Sequence, residues 1–101
     1  MRMLADIEFP LEPFNTMVRD GTIGDKIQSI VSELQPEAIY FTNRDGTRGA
    51  TMIIDVPEAS SIPRIAEPFF LVFNANVEFD IVMVPEDLAA AGLEELGKRW
   101  G

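Results

Sequence analysis

Five carboxylates carried by the predicted strands are the residues of this chain whose types and spacing come closest to a chemical site. They are Asp6, Glu8, Asp55, Glu78 and Asp80. If their strands are neighbours, the side chains share one face of a sheet and could hold a hard divalent cation. One carboxylate covered by a partner subunit could instead act as a general acid or base. We favour a solvated sheet rim over both, because no turn draws the ligands together, and we predict no metal site.

The chain contains neither cysteine nor histidine. The lack of cysteine excludes disulfides, thiolate metal sites and cysteine nucleophiles. The lack of histidine removes the usual base near neutral pH and the commonest zinc ligand. Haem and flavin have no support either, because a histidine ligand and a dinucleotide fingerprint are both missing. We therefore expect no cofactor.

The charge balance is strongly acidic, with eight Lys and Arg residues against 17 Asp and Glu residues and a net charge of −9. Such a chain repels phosphate backbones and anionic lipids, so we predict that it binds neither nucleic acid nor membranes. No apolar run approaches the roughly 20 residues that a bilayer crossing needs. Asp6 and Glu8 interrupt the first apolar stretch, which is not typical of a signal peptide. The expected location is cytoplasmic.

Alternation and turn chemistry predict the strands. Residues 2–9 alternate between apolar and polar side chains, which is typical of a half-buried strand. Residues 38–43 and 50–56 are predicted strands on either side of the hairpin turn 44–49, in which Asp45-Gly46 supplies the positive φ. Alternation returns over residues 77–84 and predicts a fourth strand.

Apolar periodicity predicts the helices. A short helical turn after Pro13 ends at Asp20-Gly21, and the clearest helix covers residues 23–34, with Thr22 and Asp25 resembling a capping box. A second short helix begins at Ser60 or Ser61, and we expect Pro68 to limit its length. The tail is helical from Pro85 onward, with Gly92 and Gly97 as candidate breaks.

The predicted order is β-α-β-β-α-β followed by an extra C-terminal helix, in a single domain over residues 1–101. Two right-handed crossovers around a hairpin predict an α+β, ferredoxin-like fold with an antiparallel sheet. One sheet face is uniformly apolar, whereas the other mixes carboxylates with Leu4, Ile53, Val82 and Val84. These aliphatic residues indicate that a second subunit covers the mixed face, so we expect a homodimer.

The arrangement resembles the dimeric α/β-barrel superfamily, in which two ferredoxin-like protomers bring their sheets together. The segments IIDVP (53–57), EPFF (67–70) and VEFDIVMV (77–84) are similar to one half of the muconolactone isomerases. A wider set, consisting of EPFN (12–15), YFT (40–42), RDGTRG (44–49) and the ending PEDLAAAGLEELGKRW (85–100), is similar to a group of short uncharacterised bacterial proteins. The resemblance implies a ligand site in the cleft between sheet and helices.

Polar residues beside apolar runs are the candidates for that cleft. Glu67 or Tyr40 would carry any proton transfer, as catalytic residues. The expected ligand-binding residues are Asn15, Asn43 and Asn74.

Tyr40 and Asn74 each have a plainer alternative. Tyr40 could be a strand aromatic with its hydroxyl at the surface, and Asn74 could be a turn or cap residue. Arg44 and Arg48 flank the hairpin turn and could bind an anion, although we favour solvated turn charges there.

Three functions stay open at this point. The first is a dimeric domain that binds a small molecule in the cleft. The second, which follows from the resemblance alone, is a cofactor-independent enzyme of the isomerase or monooxygenase type. The third is an interaction module without catalytic activity. Whether the protein is an enzyme is left undecided, and we rank the binding domain first.

Overall fold

Alternation of apolar and polar residues builds a four-stranded antiparallel sheet with helices packed on one of its faces. The structure is a computed structural model that describes all 101 residues. The strands are β1 (Arg2–Phe9), β2 (Ala38–Arg44), β3 (Thr47–Asp55) and β4 (Asn76–Ile81). The helices are α1 (Leu11–Asp20), α2 (Ile23–Leu34), α3 (Ser61–Phe73), α4 (Pro85–Ala90) and α5 (Leu93–Trp100).

The strands lie in the order β2-β3-β1-β4, and every neighbouring pair is antiparallel. Ala5 on the central strand β1 has Met52 of β3 on one side and Phe79 of β4 on the other. The predicted α+β class and antiparallel sheet are therefore confirmed, and the arrangement is compatible with a ferredoxin-like fold. No helix has both the length and the apolar character needed to span a bilayer.

The core lies between the sheet and helices α1, α2 and α3. Its largest fully buried side chains are Phe9, Phe73, Ile7, Met52, Ile54 and Ile65. Phe9 is central, because its ring packs edge-on against Phe14 at 5.3 Å and against Phe73 at 5.1 Å between centroids. Edge-to-face pairs of this kind add to the free energy gained from burial alone. The apolar face predicted for β1 is the one that faces this core.

Two helix predictions were wrong. Thr22 makes no side-chain cap to α2, and its N–H and hydroxyl instead donate to the Asp20 carboxylate at 2.9 and 2.6 Å. Pro68 does not shorten α3, which continues to Phe73. A proline inside a helix costs about 3 kcal/mol. Burial of Phe69 and Phe73 after Pro68 outweighs that cost.

The extra C-terminal helix is divided into two, with the break at Gly92 that the sequence predicted. Gly92 separates α4 from α5 with φ of 72°, a left-handed conformation that glycine adopts without penalty. Gly97 lies inside α5 and does not interrupt it. Every residue from Pro85 to Gly101 is exposed, so the two helices form an arm that extends away from the rest of the molecule.

Candidate functional site

Arg48 lies at the hairpin end of the sheet, on the face that the helices cover. Strand β3 begins at Thr47, so Arg48 alternates in phase with the buried residues Ala50 and Met52. Its partners across the neighbouring strands are Phe9 of β1 and Asn43 of β2. The backbone register therefore directs a cationic side chain to the edge of the apolar core.

The Arg48 guanidinium contacts an aromatic ring, and its Nη1 makes no hydrogen bond. Its Cζ lies 4.3 Å from the ring centroid of Phe14, which is within cation–π range. The Nη1 atom is buried and has no hydrogen-bond partner. Arg48 also takes part in none of the five ion pairs of the chain. A half-buried cation with a free donor is thus held in place by a phenylalanine ring.

A cleft of about 420 Å³ opens beside this guanidinium, between the sheet end and helices α1 and α2. Its lining residues are Phe9, Phe14, Ile27, Phe41, Thr42, Asn43, Arg48 and Gly49. Half of them are apolar, and the lining contains no carboxylate. An apolar wall with a few polar groups at one end is typical of a site for a small organic molecule.

The uncovered sheet face has different chemistry at the same end. Arg44 reaches from β2 over β3, where its Nη2 donates to Thr51 Oγ1 at 3.2 Å and its Nη1 pairs with the Asp6 carboxylate on β1. That hydrogen bond with Asp6 raises the pKa of Arg44 above its ordinary value. Arg44 is therefore a neutralised cation that ties three strands together, in contrast to Arg48.

The predicted acidic cluster is spread out along the uncovered face. Asp6 lies opposite Glu78, while Asp80 lies opposite Leu4, further along the β1–β4 pair. Asp55 is at the far end, where it pairs with the Met1 amino group at 3.0 Å. No group of three or more potential ligands is close enough to hold a metal ion.

Among the residues predicted for the cleft, Asn43 lines it. Asn15 is half-buried on α1 beside Phe14, but it is not part of the lining. Asn74 ends α3 in a left-handed conformation, with φ of 55°, and its backbone N–H donates to the Phe70 carbonyl at 3.0 Å. The backbone of Asn74 therefore caps the C-terminus of α3, as the plainer alternative predicted.

The two predicted catalytic residues lie apart. Tyr40 pairs with Thr51 and so points to the uncovered face, where it is 69% exposed. Glu67 is exposed on α3, which packs on the opposite face. Within one chain the structure does not bring them together, and their catalytic roles stay predictions.

Sequence reasoning missed most of the cleft, including Phe14, Phe41 and Arg48 as lining residues. The sequence analysis named Arg48 as a possible anion-binding residue but placed it in the turn, because the predicted strand began at Ala50. The sequence did carry a usable signal, since positions 48, 50, 52 and 54 alternate in phase and the last three are apolar. Extending that alternation by one step would have placed Arg48 on the core side.

Comparison with known proteins assigns no relative. No protein-family model matches the chain, and no curated protein matches it significantly.

Proposed function

We propose that this protein is a homodimeric domain that binds a small organic molecule in the cleft between sheet and helices. The observation that carries the proposal is the position of Arg48 at the polar end of an apolar cleft. The cytoplasmic location expected from the sequence is part of the proposal.

The cleft has a composition that is typical of small-molecule sites. Phe9, Phe14 and Phe41 supply flat apolar walls, and the volume of about 420 Å³ is within the usual range for ligand pockets. Arg48 and Asn43 supply donors that could orient a ligand. The partly exposed ring of Phe41 (49%) leaves one side open for entry.

The first argument for a second subunit is the uncovered sheet face. Leu4, Ile53 and Ala38 are cross-strand neighbours on β1, β3 and β2, and together they form an apolar row that no helix covers. Tyr40 extends this row along β2. A second copy that presents the same face would bury both rows at once, as two-fold dimers do.

The second argument is the C-terminal arm. The molecule measures 60 × 28 × 19 Å, and its radius of gyration is 17.2 Å, against about 13 Å for a compact chain of this length. Leu93, Leu96 and Trp100 form one apolar stripe on α5, and Trp100 is 78% exposed. Short helices gain their stability chiefly by packing an apolar face. Contact with a second copy would supply that packing.

The enzyme alternative, an isomerase or monooxygenase type, has weaker support. Such chemistry needs a proton-transferring group beside the ligand. The cleft lining contains no carboxylate, and Glu67 and Tyr40 lie outside it. The interaction-module alternative is supported by the arm, but it leaves the cleft and its unpaired arginine without a role.

An NMR titration of the ¹⁵N-labelled protein tests the binding function. The probes are phenylacetate, phenylacetamide and phenethylamine, which share a ring and differ in charge. We expect at least one probe to shift the amide signals of residues 9, 14, 43 and 48. If none of the three shifts these signals, the proposed binding function is wrong.

Two variants test whether the probe binds in the cleft. Phe41→Ala removes an exposed ring from the cleft, whereas Phe70→Ala removes a ring that is exposed on α3 outside it. We expect Phe41→Ala to weaken binding of the probe and Phe70→Ala to leave it unchanged. Equal effects of the two substitutions would place the binding site elsewhere.

A further inference from the structure

We propose that Arg48 makes the cleft selective for a monocarboxylate, so that the ligand is an organic acid with a flat apolar body. The inference rests on the proposed binding function and adds the chemical class of the ligand. It follows from the charge balance, the geometry of the guanidinium and the lining of the cleft.

The charge balance makes the isolation of Arg48 unusual. The chain has 17 acidic and eight basic residues, so carboxylates are abundant. Arg44, four residues earlier, has one of them as its partner. Arg48 is half-buried and has none. Burying a cation without a partner is costly, and an anion from outside the chain would remove that cost.

The guanidinium of Arg48 has a donor without a partner in the chain. The guanidinium lies over the ring of Phe14, with Cζ 4.3 Å from the ring centroid. A phenylalanine ring has no lone-pair acceptor, so this contact leaves the N–H groups of the guanidinium without hydrogen bonds. Nη1 is buried and unpaired. A planar carboxylate matches this fork with two parallel hydrogen bonds.

The lining of the cleft limits the ligand to one negative charge and an apolar body. Arg48 is its single cation, and no carboxylate is present to repel an acid. A doubly charged phosphate would meet only one cation in a chain of net charge −9, which disfavours it. The rings of Phe14 and Phe41 and the side chain of Ile27 suit an aromatic or cyclic body.

The test compares the dissociation constants of phenylacetate and phenylacetamide, measured by NMR on the wild-type protein. The two probes have nearly the same shape and differ in charge. We expect phenylacetate to bind about tenfold more tightly or better, because charge-assisted hydrogen bonds are the stronger ones. This comparison needs no substitution, so it holds even if a variant fails to fold.

Arg48→Met keeps an apolar side chain over Phe14 and removes the charge. We expect it to weaken phenylacetate binding about tenfold and phenylacetamide binding by a clearly smaller factor, because a neutral amide makes the weaker hydrogen bond to a guanidinium. Arg64→Met is the matched control, because Arg64 is exposed on α3 and lies outside the cleft. It removes the same charge and should change neither dissociation constant.

The outcomes separate the two proposals. If phenylacetamide or phenethylamine binds in the cleft as tightly as phenylacetate, the binding function stands and the carboxylate inference is overturned. The inference also fails if Arg64→Met weakens phenylacetate binding as much as Arg48→Met does, since the effect would then be long-range. If no probe binds, the binding function itself fails.

Discussion

Arg44 and Arg48 are four residues apart in one hairpin, yet their side chains lie on opposite faces of the sheet. Arg44 crosses the uncovered face to Asp6 and Thr51. The Arg48 side chain lies on the helix side of the sheet and contacts the ring of Phe14. The tight two-residue turn between β2 and β3 sets this difference, because it fixes which residues of each strand share a face. Of the two arginines, only Arg48 has no carboxylate partner.

Glu12 is a second residue whose surroundings decide its charge. Its carboxylate accepts hydrogen bonds from the Thr16 hydroxyl at 2.6 Å and the Thr16 N–H at 3.2 Å. Arg19 lies 3.4 Å away on the next turn. The hydroxyl bond is the main reason that the pKa of Glu12 is lowered from its ordinary value of 4.5. Because the folded state favours the charged form, Glu12 contributes stability above pH 4.5, and that contribution is lost as the pH falls through its folded pKa.

Thr16→Val removes the hydroxyl and keeps the shape of the side chain. We expect the pKa of Glu12 to rise toward 4.5, as measured by an NMR pH titration of its carboxyl carbon. Thr22→Val is the control, because Thr22 lowers the pKa of Asp20 in the same way. It should raise the pKa of Asp20 and leave Glu12 unchanged. A Glu12 pKa that does not move in Thr16→Val would contradict the role given to the hydroxyl.

At the scale of elements, β1 and α2 have the predicted bounds, whereas β3 begins three residues before the predicted strand does and β4 ends at Ile81, three residues before the predicted end. Residues 2–9 form the predicted strand, because alternation of apolar and polar residues is typical of a strand that is buried on one face. Pro68 misled the prediction of α3, because local propensity does not show that Phe69 and Phe73 will be buried behind it. Most of the cleft was missed for a related reason: Phe14 and Arg48 come together only through tertiary packing.

Replacing glycine by alanine should have opposite effects on stability in the hairpin turn and in α2. Gly46 has φ of 78° and follows Asp45 with φ of 51°, so the turn needs two left-handed residues. Gly46→Ala should destabilise the protein by about 1 kcal/mol, because a side chain disfavours that conformation. Gly24, in α2, has open space where a Cβ would lie. Gly24→Ala should stabilise the protein by about 0.5 kcal/mol, since alanine is the better helix former.

Urea unfolding of both variants and the wild type measures these differences. A stabilising Gly46→Ala would contradict the left-handed conformation of the turn. A destabilising Gly24→Ala would show that the N-terminal turn of α2 has a neighbour that the single chain does not contain.

At the scale of the whole molecule, the arm and the uncovered sheet face are two surfaces that single-chain packing leaves incomplete. The sheet and helices α1 to α3 bury a continuous core, whereas α4 and α5 bury none of their residues. Leu93, Leu96 and Trp100 have helical spacing in the sequence, but spacing alone does not tell whether they pack on their own chain. The structure excludes packing of Trp100 against the body of the same chain, since Trp100 is 78% exposed.

The proposed dimer predicts that the apolar stripe of α5 holds two copies together. Leu96→Gln combined with Trp100→Gln should weaken the dimer by about 3 kcal/mol, because each buried side chain contributes about 1.5–3 kcal/mol. That loss corresponds to a dissociation constant roughly a hundredfold higher. Glu94→Gln combined with Glu95→Gln is the control, since both residues lie on the other side of the helix. Light scattering at several concentrations measures the mass, and a monomeric wild type would contradict the dimer.

The crystal structure of the wild-type protein grown with phenylacetate is the most direct test of binding in the cleft. The proposed function predicts electron density for the ring between Phe14 and Phe41, next to the guanidinium of Arg48. A cleft closed by protein side chains, with a carboxylate of the chain or of a second copy on Arg48, would contradict it. In that case the unpaired guanidinium would be a packing or assembly contact, and the interaction module would become the better description of this protein.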